Sequence, residues 1–434
     1  MQVLSRHRAL AALACLFTTA FAAQPLPAAA HSSPGTILFQ RPMSGIYAGV
    51  KTFTGLAAFS IHDDGSGERQ LTPFAQYTYY GPGLAQIAYL ELWSTRALSP
   101  SGHFSVMLEA HSNYPLFGRG PYHGKYFIIN DRGGRYKPLF PGNDDLEDPR
   151  AGPSYGSLAW GPEGTNKIAY ANSQELLPHK HPACVRLMHP DGTGNHALWC
   201  AARWDYRGIE AIRWSGDGTK LLAYAVYTNR PKAGNPIADL FLIDVATGKA
   251  TLVAAAVRAP YVGWGVGDVS YDGHEVVFDA ETETNDPNCV PNSSEGQVMC
   301  AKNMLTGQTT ALRDPDHIVQ FPLGGQVLIS PDGSQAFATG RTSAQGTEVL
   351  YAINTDGTGL RRINEPCVTP NEDTTVWWKP VRLSPDGKQM LANCRIQLRT
   401  ANTLKTRIYI VNLHDGSSRY VTRGTAYDWH VPSA

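Results

Sequence analysis

Charge is scarce in this sequence. Only 17% of its 434 residues are charged, and 37 basic side chains face 37 acidic ones. No basic field is available for nucleic acid, and no polybasic patch for a membrane surface. Long apolar runs are also missing: the stretch Ala9 to Thr18 is far short of the roughly 20 residues that span a bilayer as a helix. No Gly-x-Ser-x-Gly elbow, Walker loop or Gly-x-Gly-x-x-Gly fingerprint stands in a strand-to-helix setting, which argues against the common hydrolase and nucleotide-binding sites. No two cysteines have CxxC spacing, which weakens zinc and thioredoxin-like readings.

The N-terminus reads as a targeting segment. Arg6 and Arg8 form a basic n-region, Ala9 to Thr18 the apolar stretch, and Ala20-Phe21-Ala22 or Ala28-Ala29-Ala30 a small-x-small cleavage site. Cys15 lies inside the apolar stretch, and Ala12-Leu13-Ala14 is a poor lipobox. The expected division is therefore a signal peptide, 1–30, and one mature domain, 31–434, that is periplasmic or secreted and not inserted in a membrane. Loss of Arg6 and Arg8 leaves 35 basic residues against 37 acidic. Six cysteines remain, Cys184, Cys200, Cys289, Cys300, Cys367 and Cys394, an even number that in an exported chain favours disulfides.

What is abundant is turn chemistry. Gly 42 and Pro 30 are high for a helical protein and point to a turn-rich β protein. A first turn recurs at Ser99-Pro100-Ser101-Gly102, Gly161-Pro162-Glu163-Gly164, Ser215-Gly216-Asp217-Gly218, Ser270-Tyr271-Asp272-Gly273, Ser330-Pro331-Asp332-Gly333 and Ser384-Pro385-Asp386-Gly387, in steps of 62, 54, 55, 60 and 54 residues. A second turn follows a short apolar strand seven times, from Asp63-Asp64-Gly65 to His414-Asp415-Gly416. Asp before Gly suits a tight turn that needs φ > 0. Four-stranded meanders repeated at this period predict an all-β, seven-bladed β-propeller of antiparallel blades, with six blades as the alternative. The first unit, 36–72, lacks its opening strand, and Thr425 to Ser433 is placed to supply it and close the ring.

The combination of Ser-Pro-Asp-Gly, an apolar strand, a Tyr-hydrophobic-hydrophobic strand with its Asp-Gly turn, and polar endings such as Arg69-Gln70-Leu71-Thr72 and Arg361-Arg362-Ile363 resembles the TolB-like, WD-like propeller repeats. The resemblance covers nearly the whole mature chain and implies the architecture. Related propellers serve as envelope scaffolds, as domains of prolyl-oligopeptidase-like enzymes and as oligogalacturonate lyases. This chain differs from TolB in lacking an N-terminal α/β domain. Its last repeat runs to the end of the sequence, so no following hydrolase domain is expected.

With strands named A to D, both recurring turns fall at one end of each blade and the B–C and D–A connections at the other. The second end carries the length variation: Pro73 to Leu92, His111 to Gly124, Pro141 to Gly156, Thr228 to Ala238, Glu281 to Gly296 and Glu365 to Val376. Variable loops on a rigid scaffold are the expected place for binding. The cysteines fall there too, and the strand assignment pairs Cys184 with Cys200, Cys289 with Cys300 and Cys367 with Cys394, each bridge contributing about 3 kcal/mol in the chain-entropy account. Trp160 and Trp214, next to the first turns, are expected to pack between blades.

The richest loop, 111–124, offers His111, Arg119, Tyr122 and His123, the groups that abstract a proton and neutralise a carboxylate in polysaccharide β-elimination. Tyr79, Tyr80, Tyr114, Trp204, Tyr206, Tyr261, Trp264, Trp377 and Trp378 lie in or beside the variable loops and are candidates to stack on sugar or anchor a partner. His179-Lys180-His181 has two imidazoles but no third ligand, and Asp144 to Asp148 lacks the alternation of a calcium loop. No cofactor is expected, a structural metal such as calcium aside. The resulting expectation is a monomeric binding scaffold for a protein or carbohydrate partner, with a polysaccharide lyase or hydrolase on the same face as the alternative.

Overall fold

The computed structural model describes residues 34–47, 50–72, 77–79, 85–91, 96–112, 123–130, 136–139, 158–171, 182–201, 206–227, 237–258, 267–281, 286–289, 297–314, 319, 321, 326–341, 347–364, 366–368, 374–398 and 403–432. Within Pro34–Ser433, one compact unit, the regular structure of the described residues is all β. It is a propeller whose blades are four antiparallel strands.

Six sheets have that form. In spatial order they are Thr425–His430, Thr36–Tyr47, Val50–His62 and Arg69–Gln70; then Leu158–Trp160 through His196–Cys200; Tyr206–Trp214 through Ala250–Arg258; Asp268–Val269 through Thr309–Leu312; Leu328–Ile329 through Arg361–Arg362; and Thr374–Leu383 through Ser418–Arg423. A further sheet, between the first two in sequence, has five strands: Tyr77–Tyr79, Ala85–Glu91, Phe104–Ser112, His123–Asn130 and Tyr136–Pro138. Its first two strands correct the reading of Pro73 to Leu92 as a loop: Ala85–Glu91 pairs with the far half of Phe104–Ser112. The C-terminal strand pairs antiparallel with Thr36–Tyr47, Ile37 opposite Trp429, so the two ends of the chain close one sheet.

Apolar clusters between successive sheets hold them side by side. Leu38 and Ala58 meet Ala97 and Ile129; Val106 and Ile128 meet Trp160 and Tyr170; Ile37 and Phe39 meet Leu391 and Ile408 across the closing seam. Trp160 and Trp214 are buried between sheets, as their sequence position suggests, and Trp214 Nε1–H donates to the Ala159 carbonyl of the neighbouring sheet at 3.1 Å.

The Ser-x-Asp-Gly turn shows why its spelling repeats. Ser330 Oγ donates to Asp332 Oδ1 at 2.5 Å and accepts the Gln335 N–H at 2.9 Å, while the Gly333 N–H closes on the Ser330 carbonyl at 2.9 Å. Gly333 has φ +76°, and a Cβ there would lie 2.9 Å from Glu275 of the preceding sheet. The glycine therefore serves both the turn and the close approach of neighbouring blades.

The three disulfides form with the expected partners. Cys184 and Cys200 are directly opposed in register. Cys394 stands in the middle of Gln389–Leu398 and not at its end, because that strand continues to pair with Thr374–Leu383.

Candidate functional site

A strand buried on both faces is expected to be mostly apolar, and innermost strands such as Leu328–Ile329 are. Charge at one repeated position breaks this rule. Two residues before the turn serine stand Arg213, Asp268 and Arg382. Arg96 and Asp428 occupy neighbouring innermost segments. All five line one cavity of about 220 Å³ in the central channel. Its rim is formed by first-turn residues, among them Ser99, Gly216, Tyr271, Pro331 and Ser384. The cavity thus lies at the turn end, whereas the sequence pattern points to binding at the B–C and D–A loops.

Local backbone irregularity aims these side chains. Successive residues of a strand point to opposite faces, and one extra residue turns the remainder of the strand to the other face. Register shifts leave Ala211 bulged just before Ile212 and Arg213, Val381 before Arg382, and Tyr427 before Asp428. Ala211 takes φ +52°, a left-handed conformation that costs an alanine about 1–2 kcal/mol.

The two carboxylates hold neighbouring sheets. Asp428 is buried, accepts the Leu98 N–H at 2.8 Å and the Trp429 N–H at 2.9 Å, and lies 3.2 Å from Arg382 Nη1. It therefore ties the sheets on both sides of the closing seam. Asp268 accepts the Ile329 N–H of the next sheet at 3.2 Å. Burial pushes the Asp268 carboxyl above its ordinary value, with Arg213 opposing. Burial likewise draws the Arg96 and Arg213 guanidinium groups downward; Arg382 adds to the effect, while Asp428 resists it. Lys379, three residues before Arg382 on the same strand, is pulled down to about 8 by burial and by Arg395 and Arg213. His430 at the rim is held below its usual value by burial, with Asp428 opposing and Arg96 and Arg382 reinforcing.

None of the catalytic or ligand-contact candidates that fall within the described residues lines this cavity. Arg119, Tyr122, Tyr80, Tyr114, Trp204, Tyr261 and Trp264 fall outside the described residues, as do His179, His181 and Asp144 to Asp148. Gly152-Pro153-Ser154-Tyr155-Gly156, which spells Gly-x-Ser-x-Gly, falls outside them too. Tyr79 lies in Tyr77–Tyr79, at the edge of the five-stranded sheet. His111 and His123 are directly opposed in the register of Phe104–Ser112 with His123–Asn130, so the two strands consume part of the expected loop and bring these positions together.

Two of the aromatic candidates are core residues. Tyr206 is buried, and its hydroxyl donates to Asp239 Oδ2 at 2.6 Å, where Tyr227 also donates at 2.7 Å. Trp378 is 1% exposed and packs edge-on against Tyr409 at 5.2 Å. Neither ring is available for stacking on a ligand. Trp377 is half-buried beside it. Among the described residues, no three His, Cys, Asp or Glu side chains are grouped closely enough to hold a metal ion.

The channel site was open to sequence reasoning through one signal, the charged residue two places before the turn serine. The bulges that aim it leave no comparable mark.

No family model matches the chain, and no curated protein matches it. Solved structures do. The chain is similar to an oligogalacturonate lyase from Vibrio parahaemolyticus (TM-score 0.52, 12% identity, 90% of this chain and 87% of that one). It is also similar to an oligogalacturonate lyase in complex with manganese (0.52, 13%, 90% and 86%). A third is the β-propeller domain of the Trilobed protease from Pyrococcus furiosus, which has an open velcro topology (0.51, 10%, 90% and 97%). At these identities the likeness shows the propeller fold alone.

Proposed function

We propose that the chain is an exported, TolB-like propeller of seven blades that works by binding, as a monomer, a glycan or the glycan-like end of a partner in the turn-end cavity of its channel. The blade count takes the five-stranded sheet as the second blade. Export is supported by the N-terminal pattern and by three disulfides, which persist in oxidising compartments. The observation that carries the binding reading is the convergence on one cavity of Arg213, Asp268, Arg382 and Asp428 from four sheets and of Arg96 from a segment bridged to Ala159. A concave site with a few convergent polar groups is the ordinary form of a ligand site, and these groups meet only when the ring is assembled. Titration of the purified protein with a panel of mono- and oligosaccharides, followed by calorimetry, tests this. A ligand whose affinity falls at least tenfold in Tyr271→Ala, at the cavity rim, supports the reading. Absence of any ligand, or one bound unchanged by that variant, overturns it.

A second reading, a polysaccharide lyase or hydrolase on the B–C and D–A face, is favoured by one observation: the opposed register of His111 and His123. Two of the similar structures are oligogalacturonate lyases. An ultraviolet-absorbing elimination product, formed by the wild type and lost in His123→Ala, would establish it in place of binding alone.

A further inference from the structure

The channel cavity also indicates the charge and size of what it holds. Its volume of about 220 Å³ is below the roughly 300 Å³ at which pockets for drug-sized ligands begin. At about 30 Å³ of liquid volume per water, it corresponds to one small ring with its substituents and not to a polymer segment.

Three guanidinium groups, of Arg96, Arg213 and Arg382, line it against the two carboxylates of Asp268 and Asp428. Both carboxylates already accept backbone N–H groups from adjacent sheets. Assembling like charges where solvent is restricted is costly, and an anion offsets that cost. The planar guanidinium fork matches a carboxylate in a way a point charge does not. At the rim, Tyr271 is 56% exposed and lines the same cavity. Its ring is free of burial and suits the apolar face of a sugar.

We propose that the cavity binds a carboxylate-bearing ligand of single-ring size, a sugar acid or the acidic terminal residue of a longer glycan, with its carboxylate toward Arg213 and Arg382 and its ring under Tyr271. The inference rests on the channel-binding reading above and adds the ligand's charge to it.

The experiment is calorimetric titration of the full protein with glucuronate, glucose and inorganic phosphate. Glucuronate binding at least tenfold tighter than glucose, and weakening as salt is raised, is the expected result. Arg213→Gln and Arg382→Gln are each expected to lower glucuronate affinity tenfold or more. Lys249→Gln, in the turn before the outer strand Ala250–Arg258, is expected to leave it unchanged. Because Arg213 is buried, its variant is judged only if its unfolding midpoint is retained, and Arg382→Gln, at a side chain 25% exposed, supplies the independent arm under the same condition. Equal binding of glucose and glucuronate, lost in Tyr271→Ala, would overturn the carboxylate assignment and leave the channel-binding reading standing. Binding of phosphate alone would also overturn it. No binding by any of the three, together with a neutral glycan bound elsewhere, would remove both readings.

Discussion

Asp428→Ala removes the group that joins three sheets at the closing seam. In the native protein its carboxylate accepts the Leu98 N–H of the following sheet and faces Arg382 of the preceding one at 3.2 Å, with 2% of the residue exposed. Truncation strands a buried backbone donor, which costs about 1–3 kcal/mol. It also leaves the Arg382 guanidinium without its carboxylate, and breaking a buried pair costs about 3–5 kcal/mol. The two losses overlap, and Arg382 borders the cavity, where water reaches it. The net expectation is about 4 kcal/mol, the lower end of the combined range. With a urea slope of roughly 3 kcal/mol per M for a chain of this size, the midpoint should fall by about 1 M. A companion Arg382→Met change in the Asp428→Ala background should return part of the loss, because the uncompensated charge disappears with it. A midpoint shift below about 0.3 M, or a double variant less stable than Asp428→Ala alone, would refute the assignment of Asp428 as the seam's staple.

Other expectations come from the same geometry. Gly333→Ala places a Cβ at φ +76° and 2.9 Å from Glu275 and should lower stability by about 2 kcal/mol in urea unfolding. Trp378→Ala should cost about 3–5 kcal/mol as a buried aromatic deletion, whereas Trp377→Ala on the same strand should cost far less. Acid should destabilise the protein through its turns. Asp332 is held below the usual carboxylate range by the Ser330 hydroxyl and by Ser334. In Asp217, Asp272 and Asp386 burial opposes, but the turn serine and following N–H groups prevail. A depressed folded value gives stability that is present above the unfolded carboxylate range near pH 4 and is lost as pH falls through the folded value. The urea midpoint should thus hold from pH 7 to 5 and drop below about pH 4, with a shallower drop in Asp332→Asn. Burial raises Asp268, and that group works in the opposite direction.

Local physics made the fold legible. A Ser-x-Asp-Gly turn is stabilised by its own side chains, so it must be spelled out wherever it occurs, and its recurrence with apolar strands on either side gave the repeat, the closing role of Thr425 to Ser433 and the blade positions that pair the cysteines. The chain also spelled out the inter-blade tryptophans, because they stand at a fixed place beside those turns. It did not reveal that Ala85–Glu91 extends a sheet, since that strand is defined by a partner twenty residues away and not by a turn of its own. Nor did it separate Trp377 from Trp378, adjacent residues whose side chains leave opposite faces of one strand. The channel cluster depended most on tertiary structure. Arg96, Arg213, Asp268, Arg382 and Asp428 span more than three hundred residues of sequence, and single-residue bulges aim three of them inward. By itself the sequence determined a ring of repeated turns, because each turn is a local hydrogen-bonded unit. Only the closed ring decided where charge gathers, because the channel exists only when the sheets meet around it.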